Sequence, residues 1–240
     1  MLFFKNYKRF VISLLIIIVV YCLLKNNTKK IQFETFAEKK NKLVIFYHVC
    51  ELGNWKNIVE EQLNLIKDSG LYDKVESINI GFLGDKKNIL PYINDKVKLI
   101  YHSKNKKEYE IPTLNKLLDF SKNTNENYYI LYIHSKGVTG LKEKKNNGQH
   151  YWRKFMNYWN ITKHKINIEQ LDKGYYTVGI NCFDDHYSGN FWWANSNYIK
   201  KLDFMKYKDD GGIQAEHWLF SKKENNKSIC LTKEVYHSSR

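Results

Sequence analysis

Residues Tyr128 to Ile133, Tyr-Tyr-Ile-Leu-Tyr-Ile, make an unbroken β-branched and aromatic run. A strand of this composition has no polar side to offer water, so it reads as buried on both faces, at the middle of a sheet covered by helices. The run stops abruptly at His134-Ser135-Lys136-Gly137, where polar groups and a glycine replace the apolar residues. Ligands of open α/β sheets bind just beyond the carboxyl ends of the strands. A histidine, a hydroxyl and a lysine at that edge therefore stand where a small polar ligand would lie; the bland alternative is a strand exit with a solvated lysine.

The rest of the chain supplies partners for such a strand. Leu43–Val49 reads as a first buried strand, closing on His48-Val49-Cys50-Glu51. A helix from Trp55 to Ser69 follows, with Asn54 as cap, Gly70 as stop and Ile58, Val59, Gln62, Leu63 and Ile66 on one face. Strands over Val75–Leu83 and Val97–Tyr101 end in Gly84-Asp85 and His102-Ser103, and Pro112 opens a helix carrying Leu114, Leu117, Leu118 and Phe120. Beyond the central strand, the Lys- and Gly-rich stretch from Val138 to Gly148 reads as a mobile loop. Gln149–Trp159 reads as a helix with Trp152, Phe155, Met156 and Trp159 inward, and Tyr175–Asn181 as a strand. Cys182 to Ala194 is a second informative stretch, Ser196–Leu202 and Gln214–Ser221 read as short helices, and Ser228–Leu231 as a last strand. This order predicts an α/β fold with a mostly parallel, Rossmann-type sheet flanked by helices.

Before the domain, Lys5, Lys8 and Arg9 lead into an apolar run from Phe10 to Leu24. No small-residue cleavage signal follows it, which favours a retained signal anchor over a cleaved signal peptide. The organisation is then a basic tail over residues 1–9, a transmembrane helix over 10–24, a stem over 25–42 and one domain over 43–240. Both flanks of the run are basic, so charge does not set its orientation. A cytoplasmic tail would put the domain in a secretory lumen, with which sequons at Asn26, Asn160 and Asn226 are compatible.

The formal charge of +14 comes almost wholly from scattered lysines, with Arg9, Arg153 and Arg240 the only arginines. Neither a clustered basic patch nor a recognition module is evident, so nucleic acid is not an expected partner. The four cysteines, Cys22, Cys50, Cys182 and Cys230, lack metal-clip spacing. With Cys22 in the apolar run, the remaining three read as buried free thiols.

From about Leu43 to the end, the chain resembles a glycosyltransferase of the GT-A type. The likeness rests on Tyr-Ile-His-Ser-Lys-Gly (132–137), Gly-Asn-Phe-Trp-Trp-Ala (189–194) and Ala-Glu-His-Trp (215–218), taken in that order. It is similar to a branch found among polysaccharide-assembly and large-virus proteins. GT-A folds join a nucleotide-sugar-binding half to an acceptor-binding half, and their central strand ends in an Asp-x-Asp that holds a metal on the donor diphosphate. Here His134-Ser135-Lys136 replaces it. The resemblance implies a sugar transfer from a nucleotide-sugar donor to a glycan or lipid-linked acceptor. A non-catalytic, membrane-tethered carbohydrate- or nucleotide-binding module of the same fold is the rival.

On that resemblance Glu216 is the catalytic base, since a carboxylate suits removal of the acceptor hydroxyl proton; a glutamate stabilising a helix start is its bland counterpart. His134, Ser135, Lys136 and Gly137 would meet the donor diphosphate, Lys136 as a point charge that makes a divalent cation unnecessary. His48, Asp85, Thr113 and Arg153 are further donor-side candidates, with a buried structural histidine and a salt-bridged arginine as the alternatives for His48 and Arg153. Ser188, Gly189, Asn190, Trp192 and Trp193 would meet the acceptor, one tryptophan in the core and one at the rim as a sugar platform. If a metal is held at all, Asp184, Asp185 and His186 could supply ligands for a hard cation and His237 could reach it, with a solvated loop as the bland alternative.

Overall fold

β1 (Lys42–Cys50) is apolar at every interior position but His48, and it is placed accordingly, between two other strands and under helices on both faces. The computed structural model describes residues 16–25, 41–135, 147–208, 212–222 and 227–232. Contacts divide the chain into Met1–Lys40 and Asn41–Arg240. In the first unit residues 16–25 form a helix, α1, whose apolar side chains from Ile16 to Val20 are exposed. No helix among the described residues is long and apolar enough to cross a membrane; residues 10–15 of the expected anchor lie outside the described residues.

The second unit follows the order read from the sequence through its first half. After β1 come α2 (Trp55–Asp68), α3 (Leu71–Lys74), β2 (Val75–Leu83), α4 (Lys86–Ile89), β3 (Val97–Ser103), α5 (Ile111–Asn123) and β4 (Tyr128–His134). Gly70 ends the α2 region in the left-handed conformation (φ 71°) and Pro112 sits in the first turn of α5. Asn54 precedes α2 as expected but makes no side-chain cap hydrogen bond.

The second half departs from the expectation. α6 (Asn147–Asn157) runs into a π-helical turn, Tyr158–Thr162, and then α7 (His164–Asp172), where no helix is legible. The strand expected over Tyr175–Asn181 shrinks to β5 (Thr177–Gly179). The stretch from Cys182 to Ala194, given no element from sequence, ends in a strand, β6 (Trp192–Asn195), followed by the one-turn α8 (Ser196–Ile199), α9 (Ile213–His217) and β7 (Ser228–Cys230).

The strands form one seven-stranded sheet in the order β3-β2-β1-β4-β6-β5-β7. β1 pairs in parallel with β2 and β4, β3 with β2, and β7 with β5; β6 alone runs opposite, between β4 and β5. Alternation of side chains splits the core in two. Leu43, Ile45, Tyr47, Val49, Leu131, Ile133 and Trp193 face α2, α6 and α7; Val44, Phe46, Ile130, Tyr132, Trp192 and Ala194 face α5, α8 and α9.

Two expectations are corrected here. Trp192 and Trp193 form no sugar platform, because successive residues of a central strand point to opposite cores; the rings are 1% and 0% exposed. Their indole nitrogens donate to Asn190 Oδ1 (2.8 Å) and to the Asn160 carbonyl (2.9 Å). The free-thiol reading fails for two cysteines: Cys182 and Cys230 are joined in a disulfide across 48 residues, leaving Cys50 free in the domain. The spacing concealed the pair because parallel pairing of β5 with β7 brings the two together. Asn160 is fully buried, which removes it as a glycan acceptor.

Both tryptophans being core, Trp192→Ala and Trp193→Ala should each destabilise the fold by about 3–5 kcal/mol, the usual scale for deleting a buried indole. Urea unfolding reads this directly. A near-neutral Trp192→Ala or Trp193→Ala would restore a rim position for that ring.

Candidate functional site

Parallel register sets His48 directly opposite His134, so the carboxyl ends of β1 and β4 bring two histidines to one sheet edge. Both are buried. His48 Nδ1 meets Thr113 Oγ1 at 2.8 Å, and this contact depends on Gly81 of β2, where any Cβ would collide with Thr113 Oγ1. Burial lowers the His48 pKa to about 4, opposed by the Glu110 carboxylate and assisted by His134. Burial thus favours the neutral form of His48, which is held in the core at the sheet edge.

His134 Nε2 donates to the Gly189 carbonyl at 2.8 Å, and Nδ1 lies 3.4 Å from Glu110 Oε1. Both ring nitrogens face oxygen atoms of the protein. Glu110 is the group that sequence reasoning missed. It directly precedes α5, only 17% of its side chain is exposed, and its Oε2 accepts from Tyr132 Oη (3.2 Å) and Asn190 Nδ2 (2.5 Å). Burial, then the Glu110 charge, pushes the Tyr132 phenol well above its ordinary pKa. The run Glu108-Tyr109-Glu110-Ile111 sets the second glutamate apart only by its place before the helix. A carboxylate directly before a proline-opened helix was the available signal.

Backbone strain surrounds this node. Tyr109, Asn181 and Asn190 are the three non-glycine residues with left-handed φ among the described residues (51°, 46° and 55°). Such residues cost about 1–3 kcal/mol each and gather at functional sites. Gly189, at φ 79°, has no room for a Cβ beside Met156 and Trp152, and its turn aims a carbonyl at His134. Asn190 Nδ2 also lies 3.4 Å from the Ala215 carbonyl, joining Glu110 to α9. Glu216, the next residue, is half-buried and has no hydrogen-bond or ion-pair partner among the described residues.

The residues expected to contact a ligand have these bonds within the protein. Ser135 donates its N–H to the His48 carbonyl (2.9 Å) and accepts the Cys50 N–H at Oγ (3.1 Å), extending the β1–β4 ladder. Thr113 is fully buried against His48. Asp85 caps α4 by accepting the Lys87 N–H (3.1 Å), while its own N–H goes to Glu51 (2.6 Å). Arg153 is buried in an ion pair with Glu61 (3.1 Å) and touches His150 Nδ1 (3.0 Å), so no guanidinium fork is left for phosphate. Gly189 and Asn190 are buried turn residues, and Ser188, half-exposed, donates its N–H to Asn181. Lys136, Gly137 and His237 lie outside the described residues. The cation that GT-A members hold at the end of the central strand has no fitting donor in His134 or Ser135, whose polar atoms are already engaged.

A second group joins the segment after β5 to α9. Asp185 Oδ1 accepts from His186 Nδ1 (2.7 Å) and Oδ2 lies 3.0 Å from His217 Nδ1. The His186 hydrogen bond leads in lowering the Asp185 pKa. Asp184 is exposed and outside this triad. A surface cavity of about 440 Å³ lies elsewhere, against the carboxyl half of α5 between Phe46, Asn79, Lys116 and Asp119, and no candidate residue lines it.

A family model described as a domain of unknown function (DUF8361) matches residues 45–234. No curated protein matches. Among solved structures, the crystal structure of Rv0371c from Mycobacterium tuberculosis H37Rv is similar at 9% identity and a TM-score of 0.43, over 82% of this chain and 92% of that one.

His48 gives the site a pH signature. Its folded pKa of about 4 lies below the ordinary 6.5, so below pH 6.5 the unfolded chain takes up a proton that the folded one refuses. Stability should be full above pH 6.5 and fall progressively towards pH 4, by up to about 3 kcal/mol from this group. His164, also lowered by burial, adds a loss of the same sign. Urea titrations from pH 7.5 to 4 should show a shallower acid limb for His48→Gln than for the parent chain; equal limbs would mean that His48 carries its charge in the fold.

Proposed function

Since the chain belongs to the DUF8361 family, a family of unknown function, we propose a function from its own residues: transfer of a sugar from a nucleotide-sugar donor to a glycan or lipid-linked acceptor by a GT-A-type domain. The observation that carries the reading is Glu216. It is a half-buried carboxylate without a partner among the described residues, beside the strained Glu110–Asn190 node at the carboxyl edge of the sheet. Most other polar groups at that edge are bonded to the protein, whereas this one is available to take a proton.

In an inverting transfer the acceptor hydroxyl oxygen attacks the anomeric carbon and the bond from that carbon to the diphosphate oxygen breaks. The hydroxyl proton goes to the Glu216 carboxylate, and the departing diphosphate carries away the bonding pair. Lys136 is assigned to the diphosphate as a point charge, which makes donor binding independent of a divalent cation. His134 acts inside the protein: it fixes the Gly189 turn and, through Glu110 and Asn190, the approach of α9. The rival reading of a binding module loses its support with the aromatic platform, since both tryptophans are buried.

The proposal includes a membrane anchor over residues 10–24 with the domain in a secretory lumen. The Cys182–Cys230 disulfide supports that side of the membrane, because such bonds persist in oxidising compartments.

One experiment tests the mechanism. Calorimetric titration of a nucleoside diphosphate, with and without chelator, is combined with turnover of a nucleotide sugar by the parent chain, Glu216→Gln and Lys136→Ala. Glu216→Gln should keep donor affinity and lose about 10²-fold or more in turnover. Lys136→Ala should weaken donor binding by about 1.5–3 kcal/mol, and chelation should leave it unchanged. Undiminished turnover in Glu216→Gln removes the base; binding abolished by chelator but not by Lys136→Ala removes the cation-free diphosphate site.

A further inference from the structure

Asp185, His186 and His217 come from two separate segments and present one ligand atom each within 4.8 Å of one another. We propose that they form a binding site for a first-row divalent cation of the zinc type, tying the loop after β5 to α9. The inference is independent of the transfer chemistry, since the ion would bind whether or not a sugar is moved.

The donor set selects the class of ion. Two imidazoles and one carboxylate suit zinc and its neighbours, whereas magnesium and calcium prefer all-oxygen cages. At metal–ligand distances of about 2.0–2.1 Å, tetrahedral donors lie roughly 3.4 Å apart. The two contacts of Asp185, at 2.7 and 3.0 Å, are already at that scale. The remaining spread closes by side-chain rotation, for which the 62% exposed Asp185 and the 40% exposed His217 have freedom. Three protein ligands leave a fourth position for water or a ligand atom.

The loop that carries two of the donors is built rather than loose. The Cys182–Cys230 disulfide anchors its start, and an isolated antiparallel bridge joins Cys182 to Tyr187. The Phe183 N–H donates to the His186 carbonyl at 2.9 Å, closing a tight turn, and the Phe183 ring stacks on the His186 imidazole with centroids 4.7 Å apart. His186 and His217 meet edge to face at 5.0 Å. The third donor belongs to α9, one residue beyond Glu216. Asp185 now bridges the two imidazoles through separate oxygens, so a cation would replace hydrogen bonds at this junction with coordination bonds.

The test uses the full chain, without a polyhistidine tag, stripped with chelator and dialysed free of it. Titration with zinc chloride should show one saturable equivalent per chain. Because even groups that only orient a ligand carry 10–100-fold in metal affinity, His186→Ala and His217→Ala should each weaken binding about 100-fold or more. Thermal unfolding of the metal-free variants establishes that each is folded, and Asp185→Asn, which keeps the side-chain shape, serves if an alanine variant is not. Cobalt(II) in place of zinc should give visible ligand-field bands in the parent chain that both histidine variants lose. Absence of a saturable equivalent, unchanged affinity in a folded variant of either histidine, or displacement of zinc by millimolar magnesium would overturn the assignment.

Discussion

A carboxylate placed among the ends of buried strands has to be compensated, and the arrangement around Glu110 is organised by that requirement. Removing one partner of a buried charge costs about 3–5 kcal/mol, because the other is left uncompensated. Glu110 is satisfied by Tyr132 and by an imidazole from β4, and by Asn190 from the turn before β6. Glu110, the two donors of β4 and Asn190 are far apart in sequence, so the node can form only when α5, β4 and the turn before β6 are all in place. Asn190 extends it to α9 through the Ala215 carbonyl. Position along the chain and position of the candidate base are thereby linked by one anion.

The same node accounts for the one reversed strand. For β6 to enter the sheet beside β4 in the opposite sense, the chain must turn sharply just before it. Gly189 and Asn190 make the turn in left-handed conformations that most residues resist. His134 holds the Gly189 carbonyl, while Trp192 donates to Asn190 from inside the core. The motif that looked like a binding surface in the sequence is therefore the hinge of the sheet.

Residues whose neighbours are set by the local period were legible. The alternation in β1 and β4, the apolar face of α2 and the glycine and proline at helix ends depend only on nearby sequence, and the first half of the fold follows from them. Trp192-Trp193-Ala194 could not be placed so easily, because a four-residue strand buried on both faces shows no alternation. The partners of His134 and Arg153 were hidden for another reason. Glu110 and Glu61 are ordinary glutamates in sequence, and only the packing of α5 and of α2 against α6 brings them to His134 and Arg153. Cys182 and Cys230 likewise become a pair only through the β5–β7 register.

A second polar chain on the opposite face sharpens where chemistry can occur. Tyr47 Oη donates to Gln62 at 2.5 Å; Gln62 donates to Asn157 (3.0 Å) and to the His134 carbonyl (3.3 Å), and Asn157 donates to Glu61 (3.1 Å), which holds Arg153. With Glu110 on one side and this chain on the other, the end of the central strand is bound from both faces by the protein itself. Side chains so bound have fixed geometry but little capacity to engage a ligand, since each new bond must replace an existing one. Capacity remains one layer outward, on α9 and the loop beside it, where Glu216 and the Asp185–His186–His217 group are partly open to solvent. The buried polar frame at the strand ends thus positions those outer groups, and under the proposed transfer it is there that the acceptor oxygen would meet its base.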